Sequence, residues 1–311
     1  MAILLCGEFD PGEREAWLAA LSQALPGEQL LDRRDAVAAE AIDVAVVANP
    51  PPGALQGLPC LRLIQSLWAG VDRLLDDPTL PPEVPLARMV DPAMNQAMAE
   101  TALWAVLGLQ RDLPTYARQQ RAQQWQPHPQ RRADEWPVLV LGLGEMGRTV
   151  ATRLALNGYP VSGWSRRPHA VDRVQALHGE AALPAALAAA RVVVNLLPLT
   201  PATRGFFDAS RFAAFSPGAH LVNLARGAHL VEADALAALA SGRLGELVLD
   251  VFTQEPLPPD HPFWHHPRVT VLPHVAAQTD LRSAATVAAD NVRRLRRGEP
   301  LQHRVDRGRG Y

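Results

Sequence analysis

Lysine is absent from this sequence, and all thirty basic residues are arginine. Without an ε-amino group there is no Schiff-base nucleophile, no usual anchor for pyridoxal phosphate and no P-loop lysine for a nucleotide phosphate. Cysteine is nearly as scarce. Cys6 and Cys60 are too few for a disulfide framework or a zinc cluster, and they read as two buried thiols, with a single bridge left open. Surplus charge is missing too. The formal net charge is −2, so no overall field draws the chain toward nucleic acid or an anionic membrane. Long apolar runs are also lacking: the most apolar stretch, Ala181 to Leu199, is broken by Pro184, Arg191 and Pro198 and does not suit a membrane span. Met1 to Cys6 has no basic start and no cleavage site, so it reads as a first strand rather than a signal peptide. The expectation is a soluble, cytoplasmic protein with no membrane and no nucleic-acid partner.

What is present is globular composition, 48% hydrophobic and 20% charged over 311 residues, enough for one large domain or two ordinary ones. Ala2–Cys6, Asp43–Ala48, Leu61–Leu67 and Leu86–Val90 read as strands, with Arg14–Leu25 an amphipathic helix among them. A long helix follows, capped by Asp91 with Pro92 in its first turn. Gln119 to Arg132, polar and rich in Gln and Arg, reads as a solvated loop. A second series of strands then begins: Val138–Leu141, Val161–Trp164, Val192–Leu196, His220–Asn223, Leu247–Val251 and Thr270–Leu272. Helical stretches such as Arg148–Asn157 and Glu232–Ala240 separate several of them. The alternation predicts an α/β protein of two doubly wound parallel-sheet lobes with a cleft between them: one flavodoxin-like (1–97 plus 283–311) and one Rossmann-like (98–282). The last helix, Arg282 to Arg297, is expected to return to the first lobe. Its arginines and those of the tail, through Arg309, read as a solvated surface that complements the helix dipole.

Gly142-Leu143-Gly144-Glu145-Met146-Gly147 fits G-x-G-x-x-G. The string alone is weak, but here it follows the apolar run Val138–Leu141 and opens a helix, the context in which such glycines hold a pyrophosphate. NAD-binding sheets usually carry an acid about twenty residues further on, at the end of the next strand, for the ribose 2′-OH. This chain has Ser165, Arg166 and Arg167 there instead. Arginines and a hydroxyl suit a 2′-phosphate, so NADP(H) is the preferred coenzyme, with NAD(H) second. Three polar residues stand just beyond the ends of apolar strands, where ligands of open α/β sheets bind: Arg226 in Asn-Leu-Ala-Arg-Gly, Glu255 in Asp-Val-Phe-Thr-Gln-Glu-Pro, and His274 in Pro-His-Val-Ala-Ala. His261, His265 and His266 lack the spacing of a zinc pair, and no metal is expected.

These segments, in this order and over essentially the whole chain, resemble the D-isomer-specific 2-hydroxyacid dehydrogenase family, above all its glyoxylate/hydroxypyruvate reductase A-type members. The resemblance implies that Arg226 holds the carboxylate of a small 2-oxo acid, that His274 is the general acid and that Glu255 orients its imidazole. It implies coenzyme contacts at the glycine loop, at Leu197, Pro198 and Ala225, and at Asp250 for the nicotinamide carboxamide. Ser66 to Asp72 resembles the family's substrate loop, with Trp68 walling the pocket and the N–H groups of Ala69 and Gly70 binding the carboxylate. It also implies a homodimer through the long helix after Asp91. The alternatives are an NAD-dependent member of other specificity and, from a different class, a non-catalytic nucleotide-sensing corepressor on the same fold.

Overall fold

The run Ile42–Ala48 is buried at every residue. A strand with no solvent-facing side needs cover on both faces, which a parallel α/β sheet supplies. In the computed structural model, which describes residues 1–311, that run lies in the centre of a five-stranded, wholly parallel sheet. Its strands are β1 (Ala2–Gly7), β2 (Gln29–Leu31), β3 (Ile42–Ala48), β4 (Leu63–Ser66) and β5 (Leu86–Ala87), in the order β2-β1-β3-β4-β5. This is the flavodoxin-like order. Helix α1 (Pro11–Ala24) is capped by Asp10, whose carboxylate accepts the Glu13 N–H at 2.7 Å. The chain divides into two compact units, Met1–Met94 with Thr279–Tyr311, and Asn95–Gln278. The division falls within the long helix and just before Asp280, the cap of the last one.

The C-terminal helix, Leu281–Arg297, belongs to the first unit, and its charged end explains the one acid inside β3. Arg296 forks between Glu28, at 2.8 Å, and the buried Asp43. Arg293 reaches the carbonyl of Ala24, Asn291 donates to Gln65 Oε1 at 2.7 Å, and Arg307 donates to the carbonyls of Pro81 and Val84. The solvated-surface reading of these arginines therefore fails for Arg293, Arg296 and Arg307, which tie the last residues to α1, to β3 and to the loop before β5. The thiol reading also needs correction: Cys6 and Cys60 are both free, but Cys6 is half-buried and Cys60 exposed.

The second unit holds seven parallel strands: β6 (Val138–Leu141), β7 (Val161–Ser165), β8 (Gln175–His178), β9 (Val192–Asn195), β10 (Ala219–Asn223), β11 (Leu244–Leu249) and β12 (Val269–Val271). The order β12-β11-β10-β9-β6-β7-β8 is the Rossmann winding with one strand added, and the strand order reverses between β6 and β9. The long helix runs Pro92–Gln110, and a second helix, Leu113–Arg121, occupies the start of the stretch read as a loop. Its polarity misleads because Arg118 is spent on Glu246, at 2.8 Å, and on the carbonyl of Pro267. The edge strands β2 and β8, three and four residues long, are too short and too polar for alternation to reveal. No helix is long and apolar enough to cross a membrane.

One half-buried imidazole, its Nδ1 shut off from water, sets an acid limit on stability. His220, in β10, stacks on Trp136 with centroids 5.8 Å apart, and neither its Nδ1 nor the indole N–H has a hydrogen-bond partner. Burial, helped by the nearby Arg191 charge, pushes its pKa down to about 4. The unfolded chain takes up that proton near pH 6.5, so stability is full above that value and is lost as pH falls toward 4, by about 3 kcal/mol. Denaturant titrations at pH 7 and pH 4.5 should show this loss, and His220→Gln should reduce it. An acid loss equal in the variant would assign it to other groups.

Candidate active site

The glycine loop leaves β6 with Gly142 at φ +93, a backbone state that favours glycine. A Cβ there would stand 2.6 Å from the carbonyl oxygen of Leu196, and one on Gly147 would stand 1.7 Å from that of Gly142. These two glycines let strand, turn and helix close on one another. Gly144 differs, since a Cβ there would meet nothing. It is the N-cap of the helix Glu145–Leu156, with no side chain capping it, so open space lies before the positive end of a helix dipole. That is a cradle of the kind a pyrophosphate fills, and the residues fit a dinucleotide. Leu143 packs on Gly163 of β7, while the side chains of Glu145 and Arg148 pair on the helix's first turn. Where β7 ends, the Ser165 hydroxyl donates to the carbonyl of Arg167 at 2.6 Å, and Arg166 and Arg167 are exposed.

Three loops at the carboxyl ends of β10, β11 and β12 carry the candidate catalytic residues. The first two are pressed together at Gly227, where a Cβ would come within 1.9 Å of the Phe252 carbonyl carbon. Arg226, half-buried, donates through one guanidinium nitrogen to its neighbour Ala225's carbonyl at 2.7 Å. Glu255 is fixed from one side by the Phe252 N–H, 2.8 Å from Oε1, and from the other by His274, whose Nδ1 lies 2.7 Å from Oε2. Burial acts to raise the Glu255 pKa. The hydrogen bonds from His274 and Phe252, with the charges of His274 and Arg226, outweigh it, and the carboxylate is held below its ordinary range. The same Glu255 hydrogen bond raises the His274 pKa, with burial and Arg226 opposing and the charges of Glu255 and Asp250 assisting.

His274 sits at φ +55, uncommon for a residue with a side chain. Asp250 enforces that turn. Its carbonyl accepts the His274 N–H at 2.9 Å, while its carboxylate oxygens accept those of Val275 and Ala276 at 2.7 and 3.0 Å. Asp250 is buried, which raises its pKa, with the two N–H bonds opposing. Sequence reading assigned it only to the coenzyme and missed this support of the histidine; the spacing from Asp250 to Val275 carries no local signal. Asn195 and His229, fully buried behind the Arg226 loop, were missed likewise. Leu197 and Ala225 are buried at the ends of β9 and β10, with Pro198 beside the former. In the first unit Trp68, Ala69 and Gly70 are half-buried beyond β4. There the Trp68 N–H is already taken by the Ser66 hydroxyl at 3.0 Å. No group of three or more His, Cys, Asp or Glu side chains is arranged to hold a metal.

A cradle of glycines on a Rossmann sheet, with a carboxylate-oriented imidazole and an arginine at the same edge, defines a nicotinamide-dependent oxidoreductase. The model of the D-isomer specific 2-hydroxyacid dehydrogenase NAD binding domain matches residues 103–276, and the chain belongs to that family. It is an NAD(P)-dependent enzyme of that class. Among curated relatives, it is 42% identical over 307 residues to the glyoxylate/hydroxypyruvate reductase A of Serratia proteamaculans, covering 96% of each chain. Among solved structures, it is similar to a D-isomer specific 2-hydroxyacid dehydrogenase of Xanthobacter autotrophicus in complex with NADPH and MES, with TM-score 0.95, 42% identity, and 100% and 99% of the two chains covered. The NADPH-dependent glyoxylate/hydroxypyruvate reductase of Sinorhizobium meliloti, in complex with NADP and sulfate, matches with TM-score 0.92 and 36% identity, over 100% of this chain and 99% of that one.

Proposed function

We propose that this protein reduces a short 2-oxo acid, glyoxylate or hydroxypyruvate, to the 2-hydroxy acid with NADPH. The observation that carries this reading is the 2.7 Å contact between Glu255 and His274 Nδ1. It commits that nitrogen to the carboxylate and leaves Nε2–H to give a proton to the substrate's oxygen. Arg226 binds the substrate carboxylate and polarises the adjacent carbonyl by charge-assisted hydrogen bonds. The N–H groups of Ala69 and Gly70 are proposed as further carboxylate donors, with Trp68 restricting substrate size. The residues that would hold the coenzyme are those of the glycine loop, Leu197, Pro198, Ala225 and Asp250; bound there, NADPH supplies the hydride. A spectrophotometric screen of short 2-oxo acids with both reduced coenzymes tests the reading, and no turnover of NADPH with glyoxylate or hydroxypyruvate would defeat it.

Preference for NADPH over NADH is assigned to Ser165, Arg166 and Arg167. Two exposed guanidinium groups and no carboxylate stand at the end of β7, where a ribose 2′-substituent would lie. Replacing Arg166 and Arg167 together by alanine should raise KM for NADPH about tenfold or more, the worth of lost charge-assisted hydrogen bonds, and leave that for NADH nearly unchanged. Equal changes for both coenzymes would remove the arginines from the 2′-phosphate. A homodimer belongs to the same reading, supported by Trp104 and Leu107, which expose one apolar stripe on the long helix, and by the fully exposed Trp125. A cytoplasmic setting suits the two free thiols.

A further inference from the structure

Three fully buried polar side chains behind the Arg226 loop have no part in the chemistry above: Asn195 at the end of β9, Asn223 at the end of β10, and His229 in the turn that follows. Asn195 Nδ2 lies 2.9 Å from Asn223 Oδ1 and 3.1 Å from His229 Nδ1. Main-chain donors settle which way each amide points. The Leu197 N–H donates to Asn195 Oδ1 at 3.2 Å, so the amide nitrogen of Asn195 must face Asn223 and His229. The Ala225 N–H donates to Asn223 Oδ1 at 3.3 Å, so Asn223 Nδ2 turns to donate to the carbonyl of Arg226 at 3.0 Å. One state of the imidazole satisfies these neighbours: Nδ1 accepts from Asn195, and Nε2–H donates to the carbonyl of Pro198 at 3.3 Å.

We propose that His229, as the neutral Nε2–H tautomer, is a positioning residue that locks the segment 195–198 to the segment 223–229 and so fixes Arg226 relative to the coenzyme-binding backbone of Leu197 and Pro198. The proposal rests on the reductase reading, which gives the two segments their ligands. A buried network of this kind works as a unit, because each partner removed leaves a polar group orphaned away from water. From the segment 223–229 the imidazole grips the segment 195–198 at two points, Nδ1 at Asn195 and Nε2 at Pro198.

Two substitutions cut the lock at different bonds. His229→Asn keeps an acceptor near Nδ1 for Asn195 and no longer reaches Pro198. His229→Gln reaches Pro198 with an amide N–H and gives up the acceptor for Asn195. Each variant keeps only one of the two bonds to 195–198, so both should raise the NADPH Kd, read by fluorescence titration, and KM for glyoxylate, each roughly tenfold. The falling limb of the pH–rate profile, set by His274 and Glu255, should stay in place. Variants in which either constant is unmoved, or in which the limb moves as well, overturn the lock. Should the variants fail to fold, a neutron structure of the unsubstituted protein decides: a proton on Nε2 of His229 supports the lock, and one on Nδ1 overturns it. If the unsubstituted protein neither binds NADPH nor reduces glyoxylate, the reductase reading falls instead, and the proton position alone judges the lock.

Discussion

Replacing His274 by alanine is expected to lower kcat for 2-oxo acid reduction by about two to four orders of magnitude, the range typical of a positioned general acid, while NADPH binding survives. The size follows from the geometry. The imidazole is gripped at Nδ1 by Glu255, and its backbone is held in a left-handed turn by Asp250, so no neighbouring side chain replaces it. A pH profile adds a second check. In the proposed reaction reduction needs the imidazolium, and the Glu255 hydrogen bond raises the His274 pKa above its ordinary 6.5. The rate should therefore hold through neutral pH and fall as pH rises through that raised value. Glu255→Gln removes the negative partner, so the falling limb should move to lower pH. A limb that stays in place in Glu255→Gln, or near-normal kcat in His274→Ala, would take the proton from this residue.

Arg226→Ala should reduce kcat/KM for glyoxylate at least a hundredfold, from the loss of two charge-assisted hydrogen bonds at about 1.5–3 kcal/mol each. Both KM and kcat should suffer, because in the proposed reaction the guanidinium holds the carboxylate and also polarises the reacting carbonyl. Arg226→Lys keeps the charge but loses the planar fork, so it should recover only part of the rate. Steady-state kinetics with NADPH saturating provide the measurement. A variant whose KM for glyoxylate barely moves would place the carboxylate clamp on another group.

The central strands were legible because their function in the fold is written locally. β3 reads Ile-Asp-Val-Ala-Val-Val-Ala, and such a run buries itself wherever it lies. The glycine loop was legible for a related reason: its close approaches require glycine at fixed spacing whatever surrounds them. What stayed hidden depends on partners distant in sequence. Asp43 looks like an error in an apolar strand until Arg296 arrives from the last helix. The first residues of the Arg- and Gln-rich stretch 119–132 look solvated, yet 119–121 close a helix whose Arg118 meets Glu246 from far along the chain. Within the site, Arg226, Glu255 and His274 could each be found just beyond an apolar strand, but the residues that aim them could not. Asp250 ends its strand as many aspartates do, and Asn195, Asn223 and His229 carry no periodicity that would betray a shared network.

The return of Leu281–Arg297 to the first unit has a consequence for synthesis on the ribosome. The second unit is continuous in sequence and holds all its strands by residue 271, so it has everything it needs before the chain is finished. The first unit, although translated earlier, waits with β4 and Asp43 uncovered until the final helix emerges to pack there and supply Arg296. The order of birth is thus the reverse of the order of completion, and the half-made N-terminal sheet keeps apolar surface open for as long as the second unit takes to be translated.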